Sequence, residues 1–302
     1  MFIKILTLVI VLVCSQANAT IFYSFDAEGF SNGAALPTSN PGYNFCQTGC
    51  SGSGTTGVIR NTLVAPQGTK YIEWITVSNQ SEAYTEMHYG ASFPLNLVSG
   101  KWYYLAYYKR FERIEGRNIW SGMQADKGIE MRGNGIRWIV SRGSSWGTIV
   151  SPGTGKWTIW PGNPTYHLNG NGSGIENADN AIPLNQSGYS ASNPVPMEYE
   201  RWYSVVFGIK ISSARTGEIK LWLNGVLVAD YPNIITAANS SPTIDYLEAN
   251  GTIGQPGYNS PAHKRQFDAF MLTDNFNDVA PYMRDPVSPI ITLSSPNNLR
   301  VY

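Results

Sequence analysis

The sequence predicts an all-β protein, a two-sheet antiparallel β-jelly-roll sandwich, and three observations carry that expectation. Charged residues are only 14% of the 302 positions, whereas 30 Gly and 18 Pro punctuate the chain. That balance disfavours helices and suits short strands joined by turns. Several segments alternate bulky and polar residues with the two-residue period of a strand, and none sustains the longer apolar period of a helix. Asn134-Gly135 and Asn224-Gly225 sit between such segments, where the left-handed backbone of a tight hairpin turn favours that pair.

The first residues are read apart from the fold. Met1 to Lys4 carries one positive charge, residues 5 to 14 are apolar except for Thr7, and Ala17-Asn18-Ala19 places small residues at a cleavage site. A charged start, a short apolar middle and a small-residue end make residues 1–19 a signal peptide, with the mature chain starting at Thr20. The run is too short for a membrane span, which takes about 20 apolar residues. No later segment is apolar enough either, so a secreted protein without membrane insertion is expected.

The strands follow in order. Ile21 to Phe25 is a short first strand, and Asp26 and Glu28 follow it. Residues 31–57 read as a long Gly/Ser/Pro/Asn-rich loop holding Cys46 and Cys50; in an oxidising compartment that pair is expected as one small disulfide. Tyr71 to Val77 and Glu82 to Tyr89 alternate as strands. Lys101 to Arg113 is the strongest strand signal: Trp102, Tyr104, Ala106 and Tyr108 fall on one face, and Tyr103, Leu105 and Tyr107 on the other. Both faces are apolar enough to be covered, which places this strand centrally. Gly128 to Arg132 and Gly135 to Arg142 form a hairpin. Residues 143–197 are loop-rich, with one strand near Trp157 to Trp160. Trp202 to Ser212, the hairpin Gly217 to Ala229 and Phe267 to Thr273 complete the set. One domain, 20–284, uses all of these. From Asp285 to Tyr302 the composition becomes Pro/Ser-rich, a linker that leads toward the opening strand of a further module.

Net charge is zero, so nothing favours the counterion release that drives nucleic-acid binding. Nine Trp and 18 Tyr exceed the needs of a core, and flat rings suit the apolar faces of sugars. Residues 201 to 230 (RWYSVVFGIKI…GEIKLWLNGVLVAD) resemble the concanavalin A-like lectin/glucanase superfamily in their Trp-led strand and Trp-x-Asn-Gly hairpin. Asp126-Lys127-Gly128-Ile129-Glu130 with Gly135-Ile136-Arg137-Trp138 resembles the middle of its secreted polysaccharide-lyase-like members. The resemblance implies the jelly roll; it leaves activity open, because lectins, hydrolases, lyases and adhesion modules share that fold.

The residues narrow the choice. The paired carboxylates of a glucanase strand are missing: in Asp245-Tyr246-Leu247-Glu248 the two acids would fall on opposite strand faces. Elimination from an acidic sugar instead needs a base such as Tyr or His, and cations to neutralise the carboxylate. The candidates are His88, Arg132, Arg137, Tyr104 and Tyr108 for catalysis, with Glu86, Lys127 and Glu130 beside them. The same charged residues also suit an ion-paired, solvated sheet face. The motifs of alginate lyases are not intact, Glu86-Met87-His88 being at most an echo of one. Tyr258, His263 and Arg265 form a cluster suited to an anionic sugar, or a solvated turn. Trp146, Trp157 and Trp160 would stack on sugar rings if exposed. Asp26, Glu28 and Asp268 offer hard oxygen ligands for one structural calcium ion where first and last strands meet. The expectation is therefore a monomeric secreted protein without an organic cofactor. It would cleave an acidic extracellular polysaccharide by β-elimination or, alternatively, bind carbohydrate as a non-catalytic or adhesion module.

Overall fold

The computed structural model describes residues 20–34, 44–46, 55–76, 86–88, 94–111, 126–142, 157–161, 182–183, 200–250 and 263–286. The signal-peptide residues, Cys50, Trp146, Tyr258 and most of the 285–302 linker lie outside them. The strands are β1 (Ile21–Phe25), β2 (Asn44–Cys46), β3 (Thr55–Arg60), β4 (Tyr71–Thr76), β5 (Glu86–His88), β6 (Leu95–Asn96), β7 (Trp102–Phe111), β8 (Asp126–Gly133) and β9 (Ile136–Arg142). They continue as β10 (Trp157–Pro161), β11 (Ile182–Pro183), β12 (Trp202–Lys210), β13 (Gly217–Leu223), β14 (Val226–Ile234), β15 (Thr243–Ile244), β16 (Tyr246–Asn250) and β17 (His263–Thr273). A short 3-10 helix, Phe276–Tyr282, follows the last strand.

Every pairing is antiparallel, and the strands form two large sheets. The eight-stranded sheet runs β14-β13-β12-β7-β17-β4-β3, with β1 pairing β17 as well. The seven-stranded sheet runs β11-β10-β9-β8-β16-β5-β2, and β6 and β15 form a separate two-stranded ribbon. This is the jelly-roll sandwich that the alternation predicts. β7 is central, between β12 and β17, as its two apolar faces require.

The core between the sheets takes one face of each. Tyr103, Leu105 and Tyr107 of β7 and Val205, Phe207 and Ile209 of β12 meet Met131, Trp138 and Leu247 from the other sheet, all buried. Each such side chain stabilises the fold by about 1.5–3 kcal/mol on leaving water. The indole Nε1 of Trp138 donates to the Thr236 carbonyl at 2.8 Å, so its polar atom is satisfied as well.

A second, smaller core lies on the outer face of the eight-stranded sheet. Tyr104, Ala106 and Tyr108 of β7, with Trp202 and Val206 of β12, are covered there by Val279 and Tyr282 of the 3-10 helix. Residues 61–70 cross the same face, where the Trp202 indole donates to the Val64 carbonyl at 3.0 Å. The Asn224-Gly225 turn has the backbone foreseen for it, Asn224 (φ 51°) and Gly225 (φ 78°) both being left-handed; in the Asn134-Gly135 turn the left-handed residue is Gly135 (φ 75°). Several short strands differ from the expectation. β2 lies within the stretch 31–57 expected as loop and β3 begins in it; β6, β11 and β15 are additional, and β16 contains Tyr246 to Glu248 of the acidic segment.

Candidate functional site

The register of the seven-stranded sheet aligns residues that are far apart in the chain. Arg132 pairs with Arg137 across the β8–β9 hairpin, and with Tyr246 of β16 on the other side. Leu247 pairs with Met87, so continuing that antiparallel register brings position 246 opposite His88 and position 248 opposite Glu86. His88 in turn pairs with Asn44 of β2. Successive strand residues alternate between faces. Met131, Trp138 and Leu247 are buried between the sheets, so positions 88, 246, 132 and 137 share the outer face. They form one row, His-Tyr-Arg-Arg, across four adjacent strands. The next row on that face holds Glu86, Glu248, Glu130, Ile139 and Trp160.

Local chemistry fixes this register. Residues 236–243 brace the turn of the β8–β9 hairpin: Ala238 N donates to Gly135 O at 2.8 Å, and Thr243 N donates to Asn134 O at 2.9 Å. Thr243 Oγ1 donates to Asp245 Oδ1 at 2.8 Å and so orders the step from β15 into β16. Gly133 is required at this crossing, since a Cβ there would stand 1.8 Å from the Thr243 carbonyl oxygen. The hairpin turn and β16 are therefore locked together next to Arg132, Arg137 and Tyr246.

A family model for polysaccharide lyases matches residues 22–246, most of the chain and all four positions of the row. The chain belongs to the polysaccharide lyase family. Among solved structures, the alginate lyase Aly36B is similar at 13% identity and a TM-score of 0.50, over 82% of this chain and 95% of that one. The marine PL-14 alginate lyase from Aplysia kurodai is similar at 11% identity and a TM-score of 0.50, over 85% of this chain and 100% of that one. The cellulose induced protein Cip1 is similar at 13% identity with the same score, over 84% and 97%. At these identities the likeness is one of fold. No curated protein sequence matches the chain.

The remaining candidates sort by face. Glu86 and Glu130 stand in the row next to that of His88 and Arg132, on the same face of the polysaccharide lyase. Trp160 of β10 falls in that next row, whereas Trp157 holds a register position of the opposite parity. Lys127 lies within a register shift between Asp126 and Ile129, so alternation assigns it no face. His263 and Arg265 share the parity of Phe267, which packs in the inter-sheet core of the other sheet. They do not join the row, and Trp146, Tyr258 and the Cys46–Cys50 pairing fall outside the described residues.

Tyr104 and Tyr108 require a correction. They stand on the outer face of the eight-stranded sheet, with both sheets between them and the row. Tyr108 donates its hydroxyl to Pro281 O at 3.0 Å and stacks on Tyr282 with centroids 4.9 Å apart. Burial pushes both hydroxyls above the usual tyrosine range, which suits structural donors and not bases. The tyrosine in the row is Tyr246. Its sequence signal was a Tyr-Leu-Glu alternation next to a strand-like turn, legible only once its partner strands are known.

The trio expected to bind calcium does gather where the first and last strands meet, and several of its oxygens accept hydrogen bonds from the chain. Glu28 Oε1 accepts the backbone N–H of Thr69 at 2.7 Å and of Lys70 at 2.6 Å, and Oε2 accepts the Thr69 hydroxyl at 3.0 Å. Desolvation pushes this carboxyl up, yet those hydrogen bonds and Lys70 outweigh it and hold it below the usual range. Asp26 Oδ1 accepts Glu28 N–H at 3.0 Å. Asp268 is fully buried; Oδ2 accepts Gln67 N–H at 3.0 Å, while Oδ1 has no hydrogen-bond partner among the described residues. Burial first, then the neighbouring Glu28 and Asp26 charges, push its carboxyl up to about 7. Among the described residues no group of three or more acidic, His or Cys side chains is arranged to hold a metal. The trio fastens residues 67–70 to the first turn.

Proposed function

We propose that this polysaccharide lyase is exported and cleaves an acidic, uronic-acid-containing polysaccharide by β-elimination at the His88–Tyr246–Arg132–Arg137 row. The observation that carries this reading is the register: a pair of cationic positions stands beside two positions able to move protons. Elimination needs that combination. A proton must leave C5, next to the carboxylate, and the charge that builds on the carboxylate must be neutralised. In this reading Arg132 and Arg137 take the carboxylate, guanidinium groups being suited to bidentate pairing with it. His88 accepts the C5 proton and Tyr246 returns one to the leaving glycosidic oxygen. The C4–O bond breaks, its electron pair leaves with the oxygen, and C4=C5 forms, so no water is consumed.

The lack of a water requirement gives the test. Mass spectrometry of products made in heavy-oxygen water should show unsaturated ends without the label. Labelled, saturated ends would instead identify a hydrolase. Retention of the polymer without any cleavage would identify a binding module. Export rests on the charged, apolar, small-residue order of residues 1–19, and is checked by the N-terminal residue of the protein recovered outside the cell, expected to be Thr20.

A further inference from the structure

The outer face of the eight-stranded sheet stays partly open beyond the start of the 3-10 helix, and its residues are of an unusual mixture. Gly208 leaves a gap in β12. A Cβ on it would stand 3.1 Å from both Tyr104 and Trp222, whose rings close over it from the flanking strands. Trp102 lies parallel to Tyr104, with ring planes 6° apart and centroids 5.8 Å apart. Phe276 stands against Tyr104 at 5.3 Å and against Trp222 at 5.4 Å. Trp102 and Trp222 are half-buried, and Phe276 is 39% exposed.

Charges surround these rings. The Lys220 ammonium lies 5.4 Å from the Trp102 ring centroid and pairs with Glu218 at 2.6 Å and Asp230 at 3.9 Å. Lys210 is the cross-strand partner of Trp102 on one side and of Glu218 on the other, and is half-exposed. Its ammonium makes no ion pair among the described residues, since Glu218 pairs with Lys220. Two ammonium groups thus share this face with two carboxylates. Desolvation, with Glu218 beside it, pushes the Asp230 carboxyl up despite Lys220, which lessens the negative charge.

We propose that this face is a second glycan-binding surface, which holds a stretch of anionic polysaccharide on the side of the sandwich opposite the reactive row. Trp102 and Trp222 supply apolar surface for the C–H faces of sugar rings. Lys210 supplies the countercharge for sugar carboxylates. Glu218 and Asp230 supply acceptors for hydroxyls. A polymer held here keeps its remaining length near the row, so the two sites reinforce each other by effective concentration. The anionic character of the ligand rests on the proposed function; the surface itself does not.

The test is gel retention of the whole mature protein by a polyuronate and by a neutral glucan. It is made in an Arg132→Ala/Arg137→Ala background, so that the row contributes little. Lys210→Glu should weaken polyuronate retention several-fold, and added salt should erase the difference. Trp222→Ala should weaken it as well, with Lys210→Glu guarding against a folding defect in that variant. In the otherwise unaltered protein, Lys210→Glu should leave turnover of a short oligosaccharide unchanged and slow that of the long polymer. Unchanged polyuronate retention in both variants would overturn the proposal, as would a self-associated species that Lys210→Glu dissociates. Failure of the lyase reading is seen separately, as absence of elimination from the short substrate.

Discussion

The two sheets each turn one face outward, and the two faces are finished in different ways. On the eight-stranded sheet, residues 61–70 and the 3-10 helix cover the middle strands, and the charged side chains beneath are paired. Arg60 meets Glu73 at 3.1 Å, Gln266 donates to Glu73 at 3.2 Å, and Arg110 donates to Gln266 at 3.2 Å, in one ladder across β3, β4, β17 and β7. Two tyrosines of the covered region donate to carbonyls: Tyr108 to Pro281, and Tyr282 to Ala269 at 2.5 Å. On the seven-stranded sheet the inner positions are equally apolar, yet the outer positions of β5, β16, β8 and β9 form a His-Tyr-Arg-Arg row. The same residue types thus do two jobs. Tyrosine and arginine satisfied by neighbouring chain atoms hold a fold together; in the row, the proposed function gives them a substrate to serve.

Substitutions in the two faces should therefore have opposite signatures. The largest effect is expected in the row: Arg132→Ala or Tyr246→Phe should lower kcat/KM on the order of 10²–10³-fold with thermal stability nearly unchanged, measured by initial rates and by melting. Next, Asp268→Asn should alter stability and not activity. Its carboxyl is raised in the folded protein, so the stability tied to its protonated form is fully present below the ordinary carboxylate pKa of 3.8 and is lost as pH rises through about 7. The wild-type melting temperature should thus fall across that window more than the variant's, and chelator should shift neither. Gly133→Ala should cost about 1–3 kcal/mol through overpacking against Thr243. It should reduce activity as well, because the same crossing sets the register of the row; denaturant melts and rates check both. Smallest, Tyr108→Phe should cost about 1 kcal/mol for its lost hydrogen bond and leave turnover intact. A Tyr108→Phe enzyme that is stable but inactive would break the division between the faces.

The fold was legible in particular residues. The two-sided apolar pattern of Lys101 to Arg113 marked the central strand, and Asn134-Gly135 and Asn224-Gly225 marked two hairpins that the register confirms. β3 was hidden because Thr-Thr-Gly interrupts its alternation inside a Gly-rich stretch. The row is half legible: His88, Arg132 and Arg137 are candidates by residue type, whereas the sequence points to Tyr104 and Tyr108 and not to Tyr246. A strand's sequence shows which residues share a face but not which sheet, or which side of it, that face belongs to. Likewise Asp26, Glu28 and Asp268 were expected to gather, and they do. That Thr69, Lys70 and Gln67 would supply the backbone donors for two of them is a property of a loop that no local pattern announces.

The measurement that bears most directly on the central claim is the ultraviolet absorbance of unsaturated uronic products, followed while the mature protein acts on a panel of polyuronates and neutral glucans. The account predicts a rise with at least one polyuronate, none with neutral glucans, and none when Arg132→Ala or Tyr246→Phe replaces the wild type. A wild-type rise that survives in both variants would contradict the placement of the site in this row. No rise on any polyuronate would contradict elimination itself.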